Sequence, residues 1–440
     1  MTRQTSSGSP GPSRTAATAA RNAVAVVFAL NGLAFASWVS RIPESRALLG
    51  LTPGQLGTVL LALSVGSLVA LPAAGTWVHR FGASRVVGSA AVVDAAGLVA
   101  AGTGVGTGQV WLTATGLLLL GFGSGVWDVA MNVEGAAVER AARRTIMPRF
   151  HAAFSLGTVV GAGVGAAAAG LGVPVVAHLG ALAVLVALAP AAAVRRFLPA
   201  GNEPGGHVSG SGAGRPRHPL RAWTEPRTLV LGLMVLALAL TEGVANDWLA
   251  VALVDGYQVP AWVGASGFAL FVAAMTAGRM TGPLVLDRYG RVPVLWVTMA
   301  MAAVGVCGVV FGSGPWLVIA GIVLWGTGAS LGFPVGMSAA ADDPAHAAAR
   351  VSVVSTIGYT AFLAGPPALG ALGDRVGVLD ALLVVAVLLM PSALAVPAAR
   401  PRPRRETGSA REANAVSAAR PAERPTAQSA ESVSAPGESG

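Results

Sequence analysis

Lysine is absent from this 440-residue chain: all 29 of its basic residues are arginine. Chemistry through a lysine Schiff base is thereby excluded. Cysteine is nearly absent too. Cys307 stands alone in an apolar run, which rules out an intrachain disulfide and any cysteine-rich metal site. Charge is scarce, at 11% of residues against roughly 25% in soluble domains. The sequence also lacks a nucleotide-binding loop, a cluster of metal ligands and a convincing catalytic triad, so an enzyme is not expected, nor a cofactor; His151 and His178 are isolated histidines without a second ligand nearby. What fills the chain is apolar: 54% hydrophobic residues, a mean hydropathy of +0.66 and 58 glycines. Such a composition belongs in lipid, where small residues let helices approach closely.

A bilayer core takes about 20 apolar residues per helix. Candidate spans lie near 20–40, 54–78, 86–104, 109–135, 150–171 and 174–194, then near 227–252, 261–286, 292–312, 315–340, 349–372 and 379–398. The glycine-rich span near 150–171 is the least hydrophobic of them. Uniform runs of this length are helices, since only helices and closed barrels satisfy backbone groups in lipid. The expected fold is an all-α integral membrane protein with 12 transmembrane helices in two pseudo-symmetric six-helix bundles, 20–194 and 226–398. The segments 1–19 and 399–440, rich in Ser, Pro, Ala, Arg and Glu, are expected to be disordered tails, and 195–225 a flexible linker. Ala34-Phe35-Ala36 imitates a signal-peptide cleavage site, but removing that segment would leave an odd span count, so it is taken as the first span.

Arginines orient the chain. With the N-terminus inside, 25 of the 29 fall on cytoplasmic segments, while only Arg41, Arg46 and Arg375 fall outside and Arg279 lies within a span. Both termini are therefore expected in the cytoplasm of a cell whose plasma membrane holds the protein. The net charge of +9 is a topology signal; nucleic-acid binding would need that charge gathered on one folded face.

The halves repeat. His79-Arg80-Phe81-Gly82 and Asp287-Arg288-Tyr289-Gly290 each follow a long apolar run and lie 208 positions apart. Gly116, Gly121 and Gly123 recur as Gly321, Gly326 and Gly328 at an offset of 205. Two related halves of apolar spans are the mark of a secondary transporter built by duplication.

The stretch from Gly75 through His79, Arg80, Gly82 and Arg85 resembles the loop between helices 2 and 3 of the major facilitator superfamily, with His79 where the family has Asp. The second copy keeps Asp287, Arg288, Gly290 and Arg291, with Gly282 one position early. Ala36-Ser-Trp-Val-Ser-Arg41-Ile-Pro43 and Trp127-Asp-Val-Ala-Met-Asn132 are similar to the branch of fucose-permease-like and rhizopine-locus membrane proteins. The resemblance spans roughly residues 20–398. It implies a central cavity lined by helices 1, 4, 7 and 10, and a cytoplasmic latch made by the loop motif. On this reading His79, Arg80, Gly82, Arg85, Asp287, Arg288, Gly290 and Arg291 gate the cavity; otherwise the arginines are positive-inside anchors.

Intramembrane carboxylates are functional candidates because a charge there is costly. Asp128 and Asn132 share a helix face at i, i+4, and Glu242 and Asn246 repeat that spacing. With Asn31, Trp38 and Arg41 on the first span, and Trp127, Trp248 and Trp325, they are the expected ligands of a polar solute near the midplane. Asp128 is also open to a role in bundle packing. Proton coupling needs a carboxylate that gains and loses a proton during the cycle, and Glu242 and Asp128 are the candidates. Asp247 lies closer to the outer face, Asp94 is expected to be structural, Glu134 to pair with Arg80 or Arg85, and Arg279 to pair with a carboxylate. The expected function is secondary active transport of a small polar solute, sugar- or polyol-like, with proton coupling, by a monomer in the lipid bilayer. The alternatives are drug or metabolite efflux by proton exchange, disfavoured by the lack of Arg-x-x-x-Gly on helix 4, and a non-transporting sensor or scaffold, disfavoured by a tail without apolar docking positions.

Overall fold

The computed structural model describes residues 14–142, 146–198, 219–343 and 346–401. The expected C-terminal tail beyond Pro401, most of the linker and residues 1–13 lie outside the described residues, as do Arg143 and Arg144. Within the described residues every regular element is helical.

The first half comprises α1 (Arg14–Val39), the short α2 (Ile42–Leu49), α3 (Pro53–Phe81), α4 (Ala83–Gly106), α5 (Val110–Ala142), α6 (Met147–Gly170) and α7 (Val175–Ala193). The second comprises α8 (Pro226–Val244), a π-helical turn over Ala245–Leu249, α9 (Ala250–Tyr257), α10 (Ala261–Tyr289), α11 (Arg291–Val310), α12 (Pro315–Ala329), α13 (Gly332–Ala340), α14 (Ala347–Val376), α15 (Val378–Ala381) and α16 (Leu383–Ala395). Helix α1 starts ahead of the expected first span and takes in part of the expected N-terminal tail. The ends of the expected linker are 3-10 turns, Val194–Arg196 and Pro219–Thr224.

Eleven helical stretches among the described residues are long and apolar enough to cross a membrane. The glycine-rich α6 is one of them. The exception is α14, whose 30 residues include hydroxyl side chains, Tyr359 and the pair Pro366-Pro367. The long helix that falls short is thus the eleventh rather than the fifth, and α14 packs between α8 of its own half and α3 of the other.

The repeated residues have repeated jobs. Gly82 and Gly290 sit at φ 81° and 76°, a backbone that side chains other than glycine strain to adopt, and they turn α3 into α4 and α10 into α11. A Cβ on Gly116 or Gly123 would strike the α4 backbone, and one on Gly121 the carbonyl of Leu63 on α3. In the second half Gly321 and Gly328 press on α11 in the same way, and Gly326 on α10 at Phe271. Each half therefore locks its fourth long helix against its second and third through bare backbone, the close approach that stabilises helices in lipid.

The halves form one compact unit ending at Pro401. Helices α3 and α14, and α6 and α10, pack across them. At the end that holds α2, the halves are also tied by polar contacts: Arg46 forms an ion pair with Asp255, and the Gly54 amide donates to Asp374 at 3.1 Å. At the opposite end, the ion pairs of Arg227, Arg291 and Arg350 stay inside one half. Arg227 and Arg291 both bind Asp342, at 3.0 and 2.6 Å, and Arg350 binds Glu225 at 2.7 Å. That Arg350 hydrogen bond holds the Glu225 carboxyl below its usual range.

Candidate functional site: a polar cavity between the halves

A cavity of about 370 Å³ lies between the halves, lined from α1, α3, α5 and α6 on one side and α8, α10 and α14 on the other. Its polar side chains include Asn31, Ser64, Ser67, Ser124, Asp128 and Thr158 of the first half and Glu242, Asn246, Asp247, Arg279 and Tyr359 of the second. Phe35, Phe154, Phe268 and Phe362 give it aromatic surface. A larger pocket of about 670 Å³ between α8, α14 and α16 is almost wholly aliphatic and offers no charged group.

Arg279 donates two hydrogen bonds to Glu242, at 2.9 and 2.8 Å, a fork-to-fork ion pair. The expectation that Arg279 pairs with a carboxylate names its partner here. Glu242 is thus matched by a guanidinium. Among the described residues, the other two acids in the wall have no cation. Asp128 accepts only from Asn132, at 3.2 Å, and Asp247 makes no hydrogen bond or ion pair among the described residues. Asn31 is buried and its Nδ2 has no partner, which leaves a donor for a solute. Among the described residues no group of metal-binding side chains is present.

Asp247 reaches this wall through the π-helical turn. One extra residue in the turn shifts the helix phase, so consecutive Asn246 and Asp247 both join Glu242 in facing the cavity. Sequence spacing alone set Asp247 aside toward the outer face.

Several expected ligands stand elsewhere. Trp38, Trp127, Trp248 and Trp325 are among the largest fully buried side chains and do not line the cavity. Trp325 donates its indole N–H to the Thr241 carbonyl at 3.1 Å and meets Phe271 edge-on, so α12 packs rather than lines. Arg41 is fully buried and ties the α1–α2 corner to Glu44 and the Val173 carbonyl, each at 2.6 Å. Asn132 lies outside the wall and donates to the Asp128 carbonyl at 2.8 Å as well as to its carboxylate. It steadies the acid instead of meeting a solute.

The repeated loops are exposed. Arg80 stacks over Phe81 and Arg288 over Tyr289, each at 5.4 Å from the ring centroid. Among the described residues His79, Arg80, Arg85, Asp287 and Arg288 have no ion pair, and Arg291 binds Asp342 and Ser338 of its own half. Neither copy bridges the halves in this conformation. Glu134, the expected partner of Arg80 or Arg85, instead accepts the Leu198 amide at 2.9 Å. Asp94 is fully buried against Ser124.

The profile of the Major Facilitator Superfamily matches residues 16–348, with a second match over 261–433. The chain belongs to the major facilitator superfamily. It is 31% identical over 372 residues to an uncharacterized MFS-type transporter of Yersinia pestis, covering 83% of this chain and 92% of that one. It is 27% identical over 365 residues to the membrane protein MosC of Rhizobium meliloti, covering 82% and 86%. Among solved structures it is similar to a point mutant of the nucleoside transporter NupG, with a TM-score of 0.71 at 15% identity over 86% of this chain and 99% of that one. At that identity the likeness is one of fold. As a major facilitator, the chain is a multi-pass bacterial-type secondary transporter of small molecules, not an enzyme.

Proposed function

We propose that this transporter moves a small hydroxyl-rich solute, sugar- or polyol-like, across the plasma membrane by alternating access coupled to protons. The observation that carries the reading is a cavity wall in which amides and hydroxyls alternate with phenylalanine faces and two acids lack a cation. Amides and hydroxyls bond a polyol's hydroxyls, and rings cover its C–H faces. Asp128 and Asp247, one in each half, are the proton carriers, because the Arg279 pair already matches Glu242. The branch of fucose-permease-like and rhizopine-locus membrane proteins belongs to this reading on the strength of the Ala36–Pro43 and Trp127–Asn132 stretches.

The orientation follows from the arginines. With both termini cytoplasmic, the Arg46–Asp255 end is the outer one, so the conformation is closed outward and Arg80 and Arg288 stand unlatched at the inner mouth. In a Cys307→Ala background, cysteines introduced at Gly106 and Gly314 are expected to react with an impermeant maleimide from outside. One introduced at Gly210 is expected to react only after lysis. Labelling of Gly210→Cys in intact cells would reverse the topology.

One observation favours a second reading, efflux of an amine-bearing solute by proton exchange: the wall holds three carboxylates and one guanidinium. A thermal-stability screen of the purified protein against neutral sugars and polyols on one side and amines on the other separates the two. A solute at 100 times its Kd stabilises by about 2.7 kcal/mol, enough to be seen. Stabilisation by amines alone would overturn the polyol reading.

A further inference from the structure

Asp94 on α4 is, among the described residues, an acid near the cavity that neither the ion pairs nor the wall accounts for. It is fully buried, and among the described residues no arginine or histidine forms an ion pair or hydrogen bond with it. Its Oδ1 accepts the Ser124 hydroxyl at 2.9 Å, and its Oδ2 has no partner. Ser124 lies on α5 and belongs to the cavity wall, one helical turn from Asp128. The hydroxyl thus has the buried acid on one side and the cavity on the other. The approach is built in: a Cβ on Gly123 would lie 2.8 Å from both the amide nitrogen and Oδ1 of Asp94. Only a bare α5 backbone lets the two helices come this close.

We propose that Asp94 is a further proton-binding site, behind the cavity wall, reached from the cavity through the Ser124 hydroxyl. An unpaired charge removed from water is penalised far more heavily than a neutral hydroxyl lacking one acceptor, so this setting favours the carboxylic acid. A hydronium in the cavity gives its proton to Ser124 Oγ as Ser124 passes its own to Asp94 Oδ1. What remains is a water, an intact hydroxyl and a neutral carboxyl group. The charged groups on the helices packed around α4 do not compete. On α5, Asp128 faces the cavity, and Glu134 is held by the Leu198 amide. Further along α5, Glu139 accepts the Ile146 and Met147 amides, and Arg140 makes no ion pair among the described residues. On α7, His178 is a buried ring without a hydrogen-bond partner; on α3, His79 and Arg80 are exposed at the helix end. On α2, Arg46 pairs with Asp255 and Glu44 with Arg41, and Arg195 and Arg196 of the turn after α7 make no ion pair among the described residues. Use of this proton in transport rests on the proton-coupled reading; the site itself does not.

Infrared difference spectroscopy on the purified full-length protein tests it without a solute, so its outcome is independent of any transport assay. At neutral pH the wild type is expected to show the C=O stretch of a protonated carboxyl group that is missing from Asp94→Asn. On transfer to D₂O, Ser124→Ala should keep that band but slow its isotope shift by on the order of a hundredfold, the scale on which a positioned proton-transfer group acts. Ser124→Thr, which retains the hydroxyl, should restore the wild-type rate. Identical carboxyl bands in wild type and Asp94→Asn, or an unchanged exchange rate in Ser124→Ala, would overturn the proposal.

Discussion

Asp128→Asn and Asp247→Asn are each expected to abolish accumulation driven by a pH gradient while solute exchange between two loaded compartments survives. An amide keeps the hydrogen-bonding shape of the neutral acid but carries no titrating proton, so it mimics one state of the cycle and blocks the other. Both acids face the cavity, and neither is matched by a cation. Glu242 shares the wall yet is held by two hydrogen bonds from Arg279. Glu242→Gln is therefore expected to act differently. It leaves the Arg279 charge uncompensated in a half-buried site, at about 1–2 kcal/mol, between the values for exposed and for fully buried pairs. Exchange and accumulation should then fall together. Proteoliposomes loaded with the solute that stabilises the protein provide both assays. If Glu242→Gln loses accumulation alone while both aspartate variants accumulate normally, the proton carrier is Glu242 and the assignment to the aspartates is wrong.

Much of the architecture was legible because lipid makes its demands along the sequence. Apolar runs broken by Gly82, by Gly290 or by short polar loops marked the helix ends to within a few residues for α3, α4, α10 and α11. The glycine triplets carried the packing of α5 and α12, since a contact between bare backbones leaves its trace in residue type. The cavity was legible only in part. Asn31, Asp128, Glu242 and Asn246 line it, whereas the tryptophans of the same helices do not. Residue type does not say which way a helix is rotated in its bundle, and a tryptophan serves equally well as wall or as filler. The π-helical turn at Ala245–Leu249 hid Asp247: regular i, i+4 spacing brings Asn246 to the face of Glu242, and only the widened turn adds its neighbour. Arg41 and Glu134 were misplaced for another reason: beside its pairing with Glu44, Arg41 holds the Val173 carbonyl, and Glu134 holds the Leu198 amide, backbone groups that carry no signal in the sequence.

Gly121→Leu is expected to leave the protein unable to survive extraction as a monodisperse species, whereas Gly163→Leu should behave as wild type. The two glycines differ in what stands beside them. A Cβ at Gly121 would overlap the Leu63 carbonyl of α3, a backbone atom that cannot swing aside, while one at Gly163 meets nothing within 4 Å. Forcing α3 and α5 apart disturbs their whole contact and also the tie between Ser67 and the Gly121 carbonyl at 2.9 Å. Overpacking of a rigid core costs about 1–3 kcal/mol and more where backbone must move, a large share of a membrane protein's margin. The repeat supplies an internal control. Gly326 holds the equivalent place in the second half, 2.5 Å from the Phe271 carbonyl oxygen for a built Cβ, so Gly326→Leu should fail in the same way. Fluorescence-detected size-exclusion after graded heating reads all three variants on one scale. Equal survival of Gly121→Leu and Gly163→Leu would show that the α3–α5 approach yields to a side chain, and the duplicated glycines would then need another explanation.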